Sequence, residues 1–235
     1  MINTEKFYAE VIKLKELFDG ESQNLIEKAV EKNKKICADT AWCQVANLII
    51  DLRAKMAEES AKKTGKRVLF DYCQNMLKNN FGREALSYAK VLSDGYQYVC
   101  DGYRAVKMKT ALPLPECPET IGYPHVDQIV PRTLEGYERI ESLPTIERLK
   151  TYYKICKAEK KNIAHSGGAI IYRLGNGLPY INAKWLYETM EALPNATVYA
   201  SKYNILFIDE QQDITAMILA IRIADETFYQ NVEVV

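Results

Sequence analysis

The stretch SDGYQYVCDGYRAVKMK, Ser93 to Lys109, sets the fold expected of this chain. Two Asp-Gly pairs, Asp94-Gly95 and Asp101-Gly102, punctuate short runs rich in Tyr, Val and Cys. Glycine supplies the positive φ of a tight turn, and an Asp side chain bonds its own backbone two residues on. Asp-Gly between apolar runs is therefore a hairpin signal, and two in succession predict a three-strand meander over residues 85–92, 96–100 and 103–109. Pro113, Pro115 and Pro118 follow, which makes residues 110–120 an extended connector.

Residues 67–80 have helical spacing, with Val68, Leu69, Tyr72, Cys73, Met76 and Leu77 expected on one side. The C-terminal third uses the same grammar. A helix is predicted from Thr145 to about Lys161, then a strand over 169–174 and a turn at Gly175-Asn176-Gly177. Asn182 caps a further helix carrying Leu186, Met190 and Leu193, which stops at Pro194. Strands follow at 196–200, 203–209 and 214–223. Helix plus meander thus occurs twice, an internal repeat without close sequence identity.

Residues 1–64 read as helical throughout. Phe7, Val11, Leu14 and Phe18 recur at helical spacing, and Trp42, Val45, Ala46, Ile49, Leu52 and Met56 form a later apolar face. The polar run Lys62 to Lys66 is the expected boundary. The prediction is an α+β protein: a helical module over 1–64, helices packed on antiparallel sheet over 65–223, and a tail over 224–235.

Composition limits the function. With 31 Lys+Arg against 31 Asp+Glu the net charge is zero, which excludes a polycationic arm that holds nucleic acid by bulk charge. A basic face on one side stays open, since distribution matters as well as the sum. At 48% hydrophobic and 26% charged the chain is globular rather than disordered. No basic run followed by an apolar one opens the sequence, and no apolar stretch reaches the ~18 residues of a membrane span. A cytoplasmic protein with no membrane partner is expected. The six cysteines form no C-x-x-C and only two histidines are present, so structural thiols are expected and no metal or cofactor.

Catalytic motifs are missing. Neither a phosphate-binding glycine loop nor a zinc-protease helix nor a nucleophile elbow occurs. His165-Ser166-Gly167-Gly168 is no nucleophile pair, because adjacency in sequence does not make a histidine the base of a serine. Asp209, Glu210 and Asp213 fall where a hairpin turns, so solvated turn acids are expected there rather than metal ligands. The chain is expected not to be an enzyme.

One charged feature stands out. At ~100° per residue, Lys150, Lys154, Lys157 and Lys161 fall within about 60° of one another on the 145–161 helix. They form a row about 16 Å long, which matches a phosphate backbone. On charge alone an ordinary solvated face is the simpler reading.

Several segments together resemble the DNA sliding clamp family, typified by the β subunit of bacterial DNA polymerase III. GYPHVDQIVP, Gly122 to Pro131, is similar to the segment that opens a clamp domain. LPYINAKWLYETMEAL, Leu178 to Leu193, resembles a strand leading into a domain's second helix, and Ser93 to Lys109 resembles the meander after its first. AMILAIRI, Ala216 to Ile223, resembles a closing strand, with Arg222 as the arginine of its last triplet. The likeness covers about two thirds of the chain. It implies a non-catalytic factor in DNA replication or its control, of the kind a phage or mobile element encodes. Its expected partners are the backbone of double-stranded DNA, met through Lys150, Lys154, Lys157 and Lys161, and replication or clamp-binding proteins. A chain this short encircles a duplex only as a homo-oligomer. The alternative is a protein-interaction module that keeps the clamp fold without encircling DNA.

The departures from the family are specific. Either one clamp domain carries a large insertion or two halves, 65–120 and 121–223, are each cut down. The helical 64 residues have no counterpart, and the 183–193 helix carries Glu188 and Glu191 against one lysine, Lys184. Residues 224–235 extend past the family's usual end, near where clamps bind partner peptides, and Phe228, Tyr229 and Val232 are expected to pack there in cis.

Overall fold

The computed structural model describes residues 51–223 apart from Arg53, His165, Ser166 and Asn176. The predicted helices before residue 51, the His165-Ser166 pair and the packing of Phe228, Tyr229 and Val232 lie outside the described residues. The chain divides into two compact units, Met1–Gly65 and Lys66–Val235. In the first, the described residues from 51 to 63 are helical (α1), and Thr64 follows them, its hydroxyl donating to the carbonyls of Ser60 and Ala61 at 3.1 and 3.2 Å. Leu52 is buried, whereas Met56, expected on the same face, is 41% exposed.

The second unit is α+β. Its helices are α2 (Arg67–Lys78), α3 (Ile146–Glu159) and α4 (Ala183–Ala192). Its strands are β1 (Lys90–Val91), β2 (Gln97–Cys100), β3 (Arg104–Met108), β4 (Glu138–Arg139), β5 (Ile171–Arg173), β6 (Tyr180–Asn182), β7 (Thr197–Ala200), β8 (Asn204–Asp209) and β9 (Ile214–Leu219). Seven of them make one antiparallel sheet in the order β1-β2-β3-β9-β8-β7-β4, and β5 pairs with β6 separately. Each meander follows a helix, and the third strands of the two meanders, β3 and β9, pair with each other. The two meanders of the predicted repeat therefore lie in one continuous sheet.

Alternation along the strands sets two buried faces. On one, Val99, Val106, Ala216, Phe207 and Val198 lie in register across the sheet. Helices α2 and α4 pack together there, α2 on β2 and α4 on β9, while α3 lies against α4. On the other face, Tyr98, Cys100, Ala105, Met217 and Leu206 are covered by Leu86, Val126 and Val130 from irregular segments. The predicted turns and caps appear as local chemistry. Asp101 Oδ1 accepts from the backbone N–H of Tyr103 and Arg104 at 2.9 and 2.7 Å, and Asp94 Oδ1 accepts from Tyr96 at 3.1 Å. Thr145 caps α3 and Asn182 caps α4 through their side chains.

Three expectations need correction. The strand over 85–92 is a 3-10 turn, Glu84–Ser87, followed by the two-residue β1. Asn80 donates to Ser87 Oγ at 2.5 Å, and Ala89 bonds the connector at Pro115 and Cys117 instead of a strand. The last strand ends at Leu219 rather than at 223. Ala220 and Ile221 donate to the carbonyls of Tyr203 and Tyr180, and Ile221 and Ile223 pack on Ala164 and Ile171. Arg222 is exposed beyond that strand. On α2, Val68 is 55% exposed while Phe70 is fully buried. At ~100° per residue Val68 lies about 140° from Cys73, the centre of the buried stripe, and Phe70 only about 60°.

That last correction is testable by urea denaturation. Phe70→Ala should cost about 3–5 kcal/mol and Val68→Ala less than about 0.5 kcal/mol. Equal losses would contradict the assigned face.

Candidate functional site

The hairpin between β2 and β3 positions the most unusual side chain of the unit. Arg104 is 2% exposed, on the helix-covered face of the sheet. Its Nε donates to Asp101 Oδ2 at 2.8 Å, and a terminal nitrogen donates to Glu188 Oε2 of α4 at 3.0 Å. The guanidinium also lies over the rings of Tyr72 and Trp185, 5.3 and 5.2 Å from their centres. Tyr72 shares a 2.7 Å hydrogen bond with Thr189, whose hydroxyl donates to the Trp185 carbonyl. A buried charge is tolerated only when paired and hydrogen-bonded, and Arg104 is held on both counts. It joins α2, α4 and the hairpin in one network.

The same hairpin borders a cavity of about 140 Å³ on the opposite face of the sheet. Its floor is apolar: Leu86, Cys100, Ala105, Val126, Met217 and Leu219. Tyr103 and Ile129 line it with rings and methyls that are 45% and 51% exposed, and exposed Arg83 supplies a charge. The Cys100 Sγ accepts from Gly102 N–H at 3.2 Å, and burial pushes its thiol pKa up. Gly102, at φ +94°, leaves room for Arg83, whose nearest nitrogen lies 2.9 Å from where a Cβ would stand. An aromatic ladder continues past the rim. Trp185 stacks on Tyr103 at 5.5 Å, and Phe81 meets Tyr103 edge-on at 5.0 Å. Phe81 holds a left-handed φ of 51° and stays 60% exposed, a conformation costly for a bulky residue.

Three of the four lysines of the predicted row, Lys150, Lys154 and Lys157, lie on α3. The helix ends at Glu159 with Lys160 in a left-handed cap, so Lys161, expected on the same helical band, falls outside it. Lys150 and Lys161 are engaged by carboxylates. Lys150 pairs with Glu191 of α4 and lies 5.6 Å from the Tyr187 ring centre. Lys161 pairs with Glu159 at 2.8 Å. Lys154 and Lys157 are exposed, and among the described residues no carboxylate lies within ion-pair distance of either. Lys157 lies 5.8 Å from the Tyr153 ring centre. The acids at the β8–β9 turn divide. Asp209 is buried and accepts from the backbone and side chain of Gln212 at 3.1 and 2.9 Å, so it is not the solvated acid expected. Glu210 is exposed, and Asp213 accepts from the Tyr96 hydroxyl at 2.9 Å. Among the described residues no three His, Cys, Asp or Glu side chains are placed to hold a metal ion, and Cys73, Cys100, Cys117 and Cys156 are buried free thiols. No helix of the described residues is long and apolar enough to cross a membrane.

Sequence reasoning missed the Arg104 network and the groove. A signal was present: an arginine three residues after the turn Asp, inside an apolar run, must bury its charge beside that acid. Comparison with known protein families, curated proteins and solved structures finds no match to this chain.

Two stability effects follow. Arg104→Met should cost about 3–5 kcal/mol in urea melts, because it leaves Asp101 buried without its counter-charge. Burial raises the Tyr72 phenol from 10.0 to about 12 and the Cys73 thiol from 9.0 to about 12. The fold therefore keeps protons that the unfolded chain has released, and stability should fall as pH rises from about 9 to 12. Tyr72→Phe should lose about 1 kcal/mol at neutral pH with its hydrogen bond, yet flatten that alkaline decline. An unchanged alkaline slope would contradict the assignment.

Proposed function

We propose that this chain is a non-catalytic, sliding clamp-like protein of DNA replication or its control, working as an interaction module. Its working surface is the apolar groove beside the β2–β3 hairpin, where a segment of a partner protein docks. One observation carries this reading. Three of the four segments that resemble clamp motifs, Ser93–Lys109, Gly122–Pro131 and Ala216–Ile223, meet at that groove, and the fourth, Leu178–Leu193, does not line it. They contribute Cys100 and Gly102 to Ala105, then Pro124, Val126 and Ile129, then Met217 and Leu219. An apolar floor with an exposed ring and a charged rim suits a peptide anchor flanked by an acidic residue.

The second reading, contact with duplex DNA through α3, is favoured by exposed Lys154 and Lys157. It is weakened by Lys150 and Lys161, whose charges are offset by Glu191 and Glu159. The interaction module is the better-supported use of the fold.

Selection of random 12-residue peptides displayed on phage tests the groove. Enriched peptides should carry an aromatic or leucine anchor beside an acidic residue, and should bind Arg83→Glu and Ile129→Glu at least tenfold more weakly. Enrichment indifferent to both substitutions would sink the groove reading. For DNA, anisotropy with a short labelled duplex should show affinity falling steeply with salt, and a Lys154→Glu/Lys157→Glu variant should lose about two units of the log–log salt slope. Equal binding by variant and wild type would remove α3 from that role.

A further inference from the structure

We propose that the end of the sheet formed by the β2–β3 and β7–β8 turns binds single-stranded nucleic acid, stacking bases on exposed rings and pairing phosphates with the cations around them. The site lies outside the groove floor and does not depend on a peptide occupying the groove.

Topology gathers the rings. Leu219 N–H donates to the Tyr103 carbonyl at 2.9 Å, and Ala220 N–H donates to the Tyr203 carbonyl at 2.8 Å. The two turns therefore flank the end of β9, their backbones about 10 Å apart, or two strand spacings. Tyr203 is 67% exposed. Phe81 joins the same end through its edge-on contact with Tyr103, whose other neighbour is the stacked Trp185 ring. An exposed bulky side chain is rarely held at a left-handed φ, and Phe81 is held so at 51°. Burial does not offset that strain, so the ring is presented to something outside the chain.

Charge decides what stacks there. Arg83 lies against the β2–β3 turn at Gly102, Lys184 precedes Trp185, Lys202 precedes Tyr203, and Arg222 follows β9; all four are exposed. Lys184 shares its charge with Glu188 at 3.6 Å. Over the segments that meet here, 81–84, 101–104, 183–185, 201–204 and 220–223, the one exposed acid is Glu84, and Asp101 is buried against Arg104. The opposite end of the sheet carries the acids instead. There Asp94, Glu210 and Asp213 are exposed, and Lys107 and Lys109 are drawn over the Tyr96 ring. A sugar face also stacks on rings but brings no charge to the cations, and a peptide has no repeating anion. A nucleic acid supplies both. Only an unpaired strand frees base faces for stacking, because in a duplex they cover one another.

The test is fluorescence anisotropy of the full chain with labelled 15-nucleotide strands of oligo-deoxythymidine and oligo-uridine, which separate a DNA from an RNA source. At least one strand should bind, about tenfold or more tighter than a duplex of the same length. Phe81→Gly and Tyr203→Ala should each weaken binding about fivefold or more, the effect of losing one base–ring stack, and Tyr203→Trp should retain it. Glycine relieves the left-handed strain, so Phe81→Gly should keep or raise the urea midpoint while losing affinity, which separates the use of the ring from folding. Lys202→Gln/Arg222→Gln should lower the log–log salt slope by about 1.4, two phosphate contacts at ~0.7 each. Lys154→Ala/Lys157→Ala on α3 should change single-strand affinity less than about twofold. Several results would overturn the proposal: no single-strand binding, equal affinity for the duplex, ring variants that bind like wild type, or a loss confined to the α3 variant. Binding of maltoheptaose, read by tryptophan fluorescence, in place of either strand would overturn it in favour of a sugar.

Discussion

The second unit depends on a buried cation. Arg104 sits where two helices and a hairpin meet, and each of them supplies part of its solvation: Asp101 from the turn, Glu188 and the Trp185 ring from α4, the Tyr72 ring from α2. Desolvating a guanidinium is expensive, so the interaction does more to fix arrangement than to add stability. Apolar contacts alone would tolerate a slide of α2 or α4 over the sheet. The directed hydrogen bonds do not. The same turn that hands Asp101 to Arg104 leaves Gly102 and Tyr103 facing the groove, so the inner network and the outer surface share one backbone.

The two-meander architecture explains where α3 can go. With β3 and β9 paired in the middle of the sheet, α2 and α4 already pack together on one face. The chain between β3 and α4 therefore lies outside that layer. Part of it, around Val126 and Val130, covers the opposite face. The rest adds β4 to the sheet edge beside β7 and then forms α3 and the β5–β6 hairpin, with α3 against α4. The lysine row is thus carried by an added element, and its link to α4 through Lys150 and Glu191 is a surface ion pair rather than a core contact.

Much of this fold was legible in the sequence. The Asp-Gly pairs, the Asn182 cap and the alternating runs after Pro194 each encode local structure within a few residues, and each gave its element. The failures share a cause. The strand over 85–92 was displaced by Asn80 and by the connector carbonyl at Pro115, partners distant in sequence that no local pattern announces. The β9 strand was overextended because Ile221 and Ile223 look like strand residues, yet their partners are Ala164 and Ile171. For the site, residue type misled more than spacing did. Exposed lysines draw notice as charge, whereas Arg104 and Asp209 sit in apolar runs where a reader expects neutral side chains. The groove is made by four segments separated in the chain, around Leu86, Cys100 to Ala105, Val126 and Met217, and only topology brings them together.

The pairing of β3 with β9 also has a consequence for how the chain comes off the ribosome. Arg104 meets Ile218, so the inner edge of the first meander has no partner until nearly all of the described chain has been made. At ordinary translation rates that interval is on the order of ten seconds. During it, Ala105, Val106 and Met108 present an apolar strand edge of the kind that recruits other chains. Lys107, in the middle of that strand and drawn over the Tyr96 ring, places a charge in the vulnerable run. The nascent first half is therefore the aggregation-sensitive species of this protein, and completion of the last strand is what closes it.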